Sequence, residues 1–307
     1  MARRLRLQYP GAIYHLINRG NYRRDLFATV GAAQAFERAL GETSDRFDWR
    51  IHAFCLLHNH FHLAVTTPVP NLDDGMHWLQ TAFAVRFNRF RSESGHLFQG
   101  RYQSPLVEDG AALARVVDYI HLNAVRAGLV PPERMADFRW SSLARYVKGP
   151  RAKWLSPEIW LHEIGFADSA HGWAGYVAKL VGLARDPQTQ REHDSGAFTR
   201  TWAIGTSGWK RALARRIGHR ALELDLPRCE IRTLKEERWR AVLTEELRLR
   251  GKEGVDPASQ AKCADWKVEI AHVLRKRSGA PYRWIAESLA MGSPNAVRVA
   301  VCRLANM

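Results

Sequence analysis

Two histidines separated by one residue, His60 and His62, have a spacing that points to chemistry. They open a β-rich run, and the two-residue period of a strand sends both imidazoles to one face. Two converging nitrogen donors can bind a metal ion. Imidazole favours zinc, manganese or iron, but an added carboxylate, amide or phosphate oxygen widens the choice to Mg²⁺ or Mn²⁺. Such a pair alone is more often structural or incidental, so a partner is needed.

A tyrosine and an asparagine supply that partner. Tyr119 and Asn123 stand four residues apart in a segment with helical spacing, so they share one helix face. A phenol with a pKa of about 10 is a poor nucleophile at neutral pH. A nearby divalent cation would favour the phenolate and neutralise charge on a phosphate under attack. The pattern therefore suits attack by Tyr119 on a phosphate beside a metal ion.

Several linked motifs resemble the REP-associated tyrosine transposases. These belong to the HUH single-strand nucleases, named for a His-hydrophobic-His motif. The main motifs are Leu57–Leu63, Tyr119–Asn123 and Val125–Val130. Shorter ones are Arg19–Asn21, Gly95–Tyr102 and Trp140–Ser142. Because the motifs follow one another in the family's order, the resemblance is specific, and it covers about residues 10–147.

The resemblance implies a ferredoxin-like core with the histidine pair on a central strand. It also implies that Tyr119 is the nucleophile and that His60, His62 and Asn123 hold a divalent metal ion, Mg²⁺ or Mn²⁺. Tyr119 would attack single-stranded or hairpin DNA, such as a palindromic repeat, leaving a 5'-phosphotyrosine link and a free 3'-hydroxyl. Another 3'-hydroxyl would later displace the tyrosine. Bond energy is conserved, so no nucleotide cofactor is implied.

Two positions depart from the family's pattern. His58 stands where a proline commonly precedes the Asn-His pair, and Ala124 stands where a proline commonly follows the helix asparagine. His58 could add a ligand or a proton carrier, or it could be a tolerated turn residue. We expect His121 to face away from Tyr119, because a two-residue helical step is about 200°.

The pattern of elements predicts an α+β fold. Strand-like and helical runs follow one another in the order β-α-β-β-α-β up to Val107, which is the ferredoxin-like order that RRM domains share. A further helix, residues 111–127, carries Tyr119 and stops at Gly128, which suits the left-handed position after a helix. The catalytic domain is predicted at residues 1–147.

The rest of the chain is predicted to be mainly helical. Residues 148–258 form a basic connector, with helices over 157–184 and 205–250 and a polar loop or linker over 185–196. Residues 259–307 form the last predicted domain.

A helix-turn-helix is predicted at the C-terminus, with its second helix placed to enter a DNA major groove. Its small core would consist of Ile285, Ala286, Leu289, Val297 and Val301. Ser293, Asn295 and Arg298 would lie near the reading edge. A plain helical hairpin used for packing stays open as the alternative.

The net charge of +15 favours a polyanionic partner. The candidates for phosphate contacts at the catalytic domain are Arg19, Arg23, Arg24 and Arg101. Tyr102 or Phe98 is a candidate for stacking on an unpaired base. For each of these residues alone, the alternative is a solvated arginine or a core aromatic.

Composition narrows the class of protein. No stretch approaches the roughly 18 apolar residues of a membrane span, and the first residues lack the apolar segment of a secretory signal. The four cysteines form no CxxC pair, which argues against a zinc knuckle. We expect a cytoplasmic, nucleoid-associated protein with a DNA partner and no membrane partner, and we leave a homodimer open.

Two other functions compete with the strand transferase. A catalytically silent DNA-binding regulator could use the same fold, although intact Tyr119, His60 and His62 argue against it. An RNA-binding protein is allowed by the ferredoxin-like order and the basic charge. The sequence lacks the aromatic strand signature of RRM domains, which argues against that alternative.

Overall fold

The computed structural model describes residues 6–149, 151–217 and 228–305. The chain divides into two compact units, Leu7–Thr206 and a second unit made mostly of the residues from Ser207 on. The fold is mixed α/β, with one five-stranded sheet and many helices.

The first unit opens with the element order that the sequence predicts. Its elements are β1 (Ala12–Arg19), α1 (Val30–Phe47), β2 (Arg50–Leu57), β3 (His60–Thr67), α2 (Leu72–Arg91), β4 (Leu106–Val107) and α3 (Ala111–Arg126). The predicted strand over residues 102–107 contributes only its last two residues to β4. Gly128 has a φ of +67° just beyond α3, a conformation that glycine adopts without steric cost.

The sheet places β3 and β1 between their neighbours. Its strand order is β2-β3-β1-β4-β5, where β5 is Ala203–Ile204 and pairs in parallel with β4. β1 and β3 pair antiparallel over eight positions, with Arg19 opposite His60. Because side chains alternate along a strand, Phe61 points away from its histidine neighbours and meets Phe36 of α1, with ring centres 4.8 Å apart. His60 and His62 therefore lie on the opposite face, the one covered by α3.

Among its described residues, the first unit has four further α-helices. They are α4 (Ser142–Lys148), α5 (Glu158–Glu163), α6 (Ala170–Arg185) and α7 (Pro187–Asp194). The predicted loop over residues 185–196 is wrong, because most of it forms α7. The Asp186 side chain accepts hydrogen bonds from the backbone N–H groups of Gln188 and Thr189, and Pro187 occupies the first helical turn, where its missing N–H costs nothing.

The boundary between the compact units falls inside the predicted connector. α5 and α6 pack on α3, and their Trp160 and Tyr176 side chains are fully buried, so residues up to Thr206 belong to the first unit. The predicted boundary at residue 147 therefore does not mark the end of a compact body. The division into 1–147, 148–258 and 259–307 stays a prediction about functional regions.

The second unit is helical. Its helices are α8 (Ser207–Ile217), α9 (Arg228–Leu249), α10 (Asp265–Val273), α11 (Tyr282–Ser288) and α12 (Pro294–Ala305). Residues 218–227 of the predicted helical region 205–250 lie outside the described residues. All five residues predicted as the core of the last helix pair are buried. Nowhere in the described ranges is a helix both long and apolar enough to cross a membrane.

Candidate functional site

The histidine pair of β3 lies on one face of the sheet, as strand alternation predicts. The ring centres of His60 and His62 are 5.2 Å apart. His62 is buried, whereas His60 is half-buried and faces Arg19 across the strand pair. Burial, and then the charge of Arg19, lowers the pKa of His60 to about 4. Burial also lowers the pKa of His62 well below its usual value, so both imidazoles are neutral at neutral pH.

Each imidazole of the pair uses the same nitrogen for a hydrogen bond within the protein. His60 Nδ1 lies 2.8 Å from Oδ1 of Asn59, and His62 Nδ1 lies 3.0 Å from Nε2 of His15. His15 in turn places its Nδ1 2.8 Å from the carbonyl oxygen of Phe198. Over the described residues, neither Nε2 of the pair has a hydrogen-bond partner. Two imidazole nitrogens on one face are thus left for another group.

Tyr119 lies beside this pair on α3. Its ring centre is 5.6 Å from that of His62 and 5.6 Å from that of His15. Only 4% of the residue is exposed. Phe198 stacks on the tyrosine ring at 4.8 Å, and His193 of α7 meets it edge-on at 5.0 Å. The candidate nucleophile is therefore next to the histidines but covered by side chains from beyond α6.

Asn123 and Arg126 continue the same face of α3. Asn123 donates its amide N–H to the Tyr119 carbonyl at 2.9 Å, and its Oδ1 accepts from Arg126 at 3.1 Å. The Arg126 guanidinium lies 5.1 Å from the centre of the Tyr119 ring and pairs with Asp194 at 2.9 Å. Burial raises the pKa of Tyr119, and the charge and hydrogen bond of Arg126 oppose that rise.

The donor set fits a divalent metal ion. Within the described residues, no cluster of three or more His, Cys, Asp or Glu side chains is arranged to hold one. Two of the three predicted ligands, His60 and His62, are of those types, and the third donor would be the amide oxygen of Asn123. An amide oxygen has two lone pairs. The amide oxygen of Asn123 uses one of them to accept a hydrogen bond from Arg126. His60, His62 and Asn123 therefore offer two neutral nitrogens and one oxygen.

Several members of this site were missed by the sequence analysis. Arg126 was detectable, because it lies three residues after Asn123 and seven after Tyr119, on one helix face. His15 and His62 share the face of the β1–β3 pair, but only the pairing register shows it. His193 and Phe198 carry no local signal, since they lie in the region predicted as a loop and just after it.

The arginines predicted to contact phosphates have different environments. Arg19 is exposed beside His60, and Arg23 and Arg101 are exposed as well. Arg24 instead pairs with Glu93 and lies 5.4 Å from the centre of the Phe87 ring.

The glycine next to Arg19 permits a close approach of the chain. Its N–H donates to the Asn59 carbonyl at 2.8 Å. A Cβ on Gly20 would lie 2.3 Å from the carbonyl oxygen of Arg24. The glycine therefore lets the loop that carries Arg23 fold against the turn before His60.

Tyr102 does not present a free ring face. The residue is 8% exposed, and its hydroxyl donates to Asp73 at 2.6 Å. The ring is packed in the core, so its stacking on an unpaired base stays a prediction that would require the ring to leave this position. Phe98, the other aromatic considered, packs against Phe61 at 6.1 Å.

The two departures from the family's pattern lie in ordinary surroundings. His58 is in the turn between β2 and β3 with an exposed side chain, and its carbonyl accepts from the N–H groups of Leu26 and Phe27. Ala124 is buried within α3. His121 faces away from the site, as the helical step predicts, and bonds Tyr176 and Ser142.

The reading edge predicted at the C-terminus is exposed. Ser293, Asn295 and Arg298 are all open to solvent in the second unit. The Ser293 hydroxyl accepts from the N–H of Ala296 at 3.2 Å at the start of α12.

Comparison with known proteins gives the family. The model of IS200-like transposases matches residues 8–123, a range that contains the histidine pair, Tyr119 and Asn123. A curated REP-associated tyrosine transposase of Haemophilus influenzae is 32% identical over 139 residues, which cover 41% of this chain and 74% of that protein. The chain belongs to the REP-associated tyrosine transposases.

As a member of this family, the protein is a DNA transposase and endonuclease. A solved structure of a REP-associated tyrosine transposase bound to a REP hairpin is 21% identical. The match covers 52% of this chain and 91% of that one, with a TM-score of 0.42. The family model ends at Asn123, so His193 and Phe198 lie beyond it.

Proposed function

We propose that this transposase cleaves and rejoins single-stranded or hairpin DNA through a covalent link to Tyr119, on a ferredoxin-like core of the HUH type. The observation that carries the proposal is the convergence of Tyr119 with His60 and His62 on the face of the sheet under α3. The strand order β2-β3-β1-β4 is the one that a ferredoxin-like β-α-β-β-α-β unit forms. A relative's structure with a REP hairpin makes a palindromic repeat the substrate to test.

The reaction is a transesterification in two steps. In the first, the Tyr119 oxygen attacks the phosphorus of a phosphodiester, a bond from phosphorus to the tyrosine forms, and the bond to the 3'-oxygen breaks. The phenol proton is lost and the departing 3'-oxygen gains one. In the second step a 3'-hydroxyl attacks the phosphotyrosine, and Tyr119 regains its proton. One phosphodiester replaces another, so no nucleotide cofactor is required.

His60, His62 and Asn123 would hold a divalent metal ion, Mg²⁺ or Mn²⁺. When bound, such an ion would supply positive charge that polarises the phosphate and favours the phenolate. Neutral imidazoles suit this role because a protonated nitrogen cannot bind a metal ion. The hydrogen bonds at both Nδ1 atoms leave both Nε2 atoms for it.

Arg126 supplies the protein's own positive charge next to the nucleophile. Burial disfavours the phenolate of Tyr119, and Arg126 opposes this effect. The Arg126 guanidinium also donates a hydrogen bond to Asn123, so this one side chain positions both Tyr119 and Asn123. We assign Arg126 the role of stabilising the phenolate, and Arg19 and Arg23, both exposed, the role of contacting the DNA backbone.

Two side chains cover the ring of Tyr119. The tyrosine is 4% exposed, and Phe198 and His193 lie on it. We infer that binding of DNA shifts these two side chains, so that a phosphodiester can approach the Tyr119 oxygen.

The test uses the full chain with Mn²⁺ or Mg²⁺ and labelled hairpin oligonucleotides taken from repeats that flank the gene. We expect a metal-dependent covalent adduct on a denaturing gel with wild-type protein and none with Tyr119→Phe. Binding without an adduct on any oligonucleotide would favour the alternative, a catalytically silent DNA-binding regulator on the same fold.

We assign the second unit the role of binding duplex DNA through α12, as a helix-turn-helix does. Exposed Ser293, Asn295 and Arg298 and the buried core beneath them support this role. We expect Arg298→Ala to weaken duplex binding about tenfold to a hundredfold. Arg303→Ala, which removes the same charge from the other end of α12, should change it less. Equal effects would favour a packing hairpin. We expect a protein that acts on DNA to work in the cytoplasm with the nucleoid.

A further inference from the structure

The imidazole of His15 forms a hydrogen bond with His62 that fixes how His62 presents its other nitrogen. His15 lies on β1 and is fully buried, and its Nε2 is 3.0 Å from Nδ1 of His62. The planes of the two rings are inclined by only 27° and the ring centres are 5.2 Å apart, which suits an N–H···N bond that lies close to both ring planes. Only one proton can lie between the two nitrogens. The nitrogen that carries this proton determines whether His62 donates or accepts the hydrogen bond.

The carbonyl of Phe198 decides where that proton lies. It is 2.8 Å from Nδ1 of His15, and a carbonyl oxygen can only accept, so His15 carries N–H at Nδ1. A neutral imidazole carries a single N–H, so Nε2 of His15 has the lone pair. His15 Nε2 is therefore the acceptor and His62 Nδ1 the donor. The lone pair of His62 is left on Nε2.

We propose that His15 is a positioning residue for the metal site, which sets His62 as the Nδ1–H tautomer with Nε2 directed to the ion. The inference rests on the proposed function of His62 as a ligand. Metal-binding histidines commonly donate their second N–H to a neighbouring acceptor, which fixes the ring and raises its basicity. In this chain the acceptor is another imidazole, and its own tautomer is set by a backbone carbonyl 183 residues away in sequence.

The same logic sets His60 by a shorter route. Asn59 places Oδ1 at Nδ1 of His60, so the neighbouring residue fixes that tautomer. The two ligands therefore have different supports. The support of His60 is local, whereas that of His62 depends on β1 and on Phe198 beyond α7. A change at His15 should affect His62 and leave His60 in place.

Two variants of His15 separate positioning from packing. His15→Phe retains a ring and removes the acceptor, whereas His15→Gln can place an amide oxygen near the position of Nε2. We expect His15→Phe to weaken Mn²⁺ binding about tenfold to a hundredfold, measured by titration calorimetry without DNA. His15→Gln should restore most of the affinity.

His52→Phe is the matched control. His52 is also fully buried with both nitrogens hydrogen-bonded, to the Ser156 carbonyl and the Thr66 hydroxyl, but it does not contact the pair. The His52→Phe protein should bind Mn²⁺ as tightly as wild type does, even where its stability is lower. Thermal unfolding of each variant reports that loss separately.

Nitrogen NMR of histidine-labelled, metal-free wild-type protein measures the tautomer directly and requires no variant to fold. We expect His62 to be protonated at Nδ1. The inference is overturned if His62 carries its proton on Nε2, or if folded His15→Phe binds Mn²⁺ as tightly as wild type. Unchanged Mn²⁺ binding by His62→Ala would refute the proposed metal site itself. Lost binding in His62→Ala with unchanged binding in His15→Phe would refute the role of His15 alone.

Discussion

Two pairs of histidines in the first unit have their nitrogens arranged differently. The site pair, His60 and His62, uses only Nδ1 for hydrogen bonds to the protein. The core pair, His52 and His121, uses both nitrogens, with partners between 2.7 and 2.9 Å away. All four imidazoles have pKa values lowered by burial. An unused nitrogen, rather than a shifted pKa, therefore distinguishes a histidine available for chemistry from one that holds the fold.

The surroundings of the two pairs agree with this difference. His121 lies among the rings of Tyr146, Trp160 and Tyr176, which close it off from solvent. Its other partner, Ser142, also bonds the backbone of Phe54 on β2, so this network fixes α3 to the sheet edge. The site pair lies beside Tyr119 and exposed Arg19 instead. One helix thus contributes to a structural network on one side and to a reactive group on the other.

The largest effect should come from removing a nitrogen of the site pair. His60→Ala should reduce adduct formation to background while changing the free energy of unfolding by about 0.5 kcal/mol, since His60 is half-buried. A denaturing gel and a urea titration measure the two quantities. An active His60→Ala protein would contradict the distinction between the site pair and the core pair.

His58→Ala sharpens the same measurement, because His58 lies two residues earlier with an exposed side chain. Full activity of this variant would make His58 a turn residue. A loss as large as that of His60→Ala would make it an additional ligand.

The next largest effect is expected for Arg126. Arg126→Ala should slow cleavage about 100- to 1,000-fold, the range found when a donor that stabilises developing negative charge is removed. Single-turnover rates on a hairpin substrate measure it. Arg126→Lys retains the charge and should recover part of the rate. If both variants cleave at the wild-type rate, Arg126 only supports Asn123 and Asp194.

A change in the core pair should affect stability instead. His121→Leu leaves the Tyr176 and Ser142 hydroxyls without this partner, so we expect the free energy of unfolding to fall by about 2–4 kcal/mol. The rate per folded molecule should stay at the wild-type value, which an active-site titration normalises. A folded His121→Leu protein with a much lower rate would show that the two networks are coupled through α3.

The smallest effect concerns pH. Burial lowers the pKa of His52 to about 4, below its usual value of about 6.5 in the unfolded chain. The unfolded chain therefore binds a proton that the folded protein excludes, and stability falls as the pH drops from about 6.5 to 4 by roughly 1 kcal/mol per pH unit for this group.

His52→Gln has no such proton, so its stability should fall less steeply over the same range. Urea titrations of both proteins between pH 7.5 and 4.5 measure the slopes. Parallel slopes would mean that His52 is protonated in the folded state.

The parts of the site predicted from sequence depend on local geometry. His60 and His62 share a face because a strand alternates, and Tyr119 and Asn123 share one because a helix repeats. The helices and strands up to α3 follow from the same periodicities. Gly128 marks the end of α3, since its backbone takes the left-handed conformation there.

The parts that were missed depend on distant pairing. The contact of His15 with Phe198 joins positions 183 residues apart, which no local pattern reports. The bond of Tyr102 to Asp73 was also missed, because an aromatic residue in an extended run looks the same whether its hydroxyl meets Asp73 or its ring meets a base. α7 was taken for a loop because its first residue is a proline and the rest are polar, although Pro187 is well placed to begin a helix.

The proposed reaction links Tyr119 to DNA beside the histidine pair. The most direct measurement is mass spectrometry of the covalent adduct after nuclease and protease digestion, which locates the modified residue. We expect a single nucleotide-bearing peptide with the phosphate on Tyr119, absent when the metal ion is chelated. A phosphate on another residue, such as exposed Tyr22, or an adduct that persists in Tyr119→Phe, would contradict it.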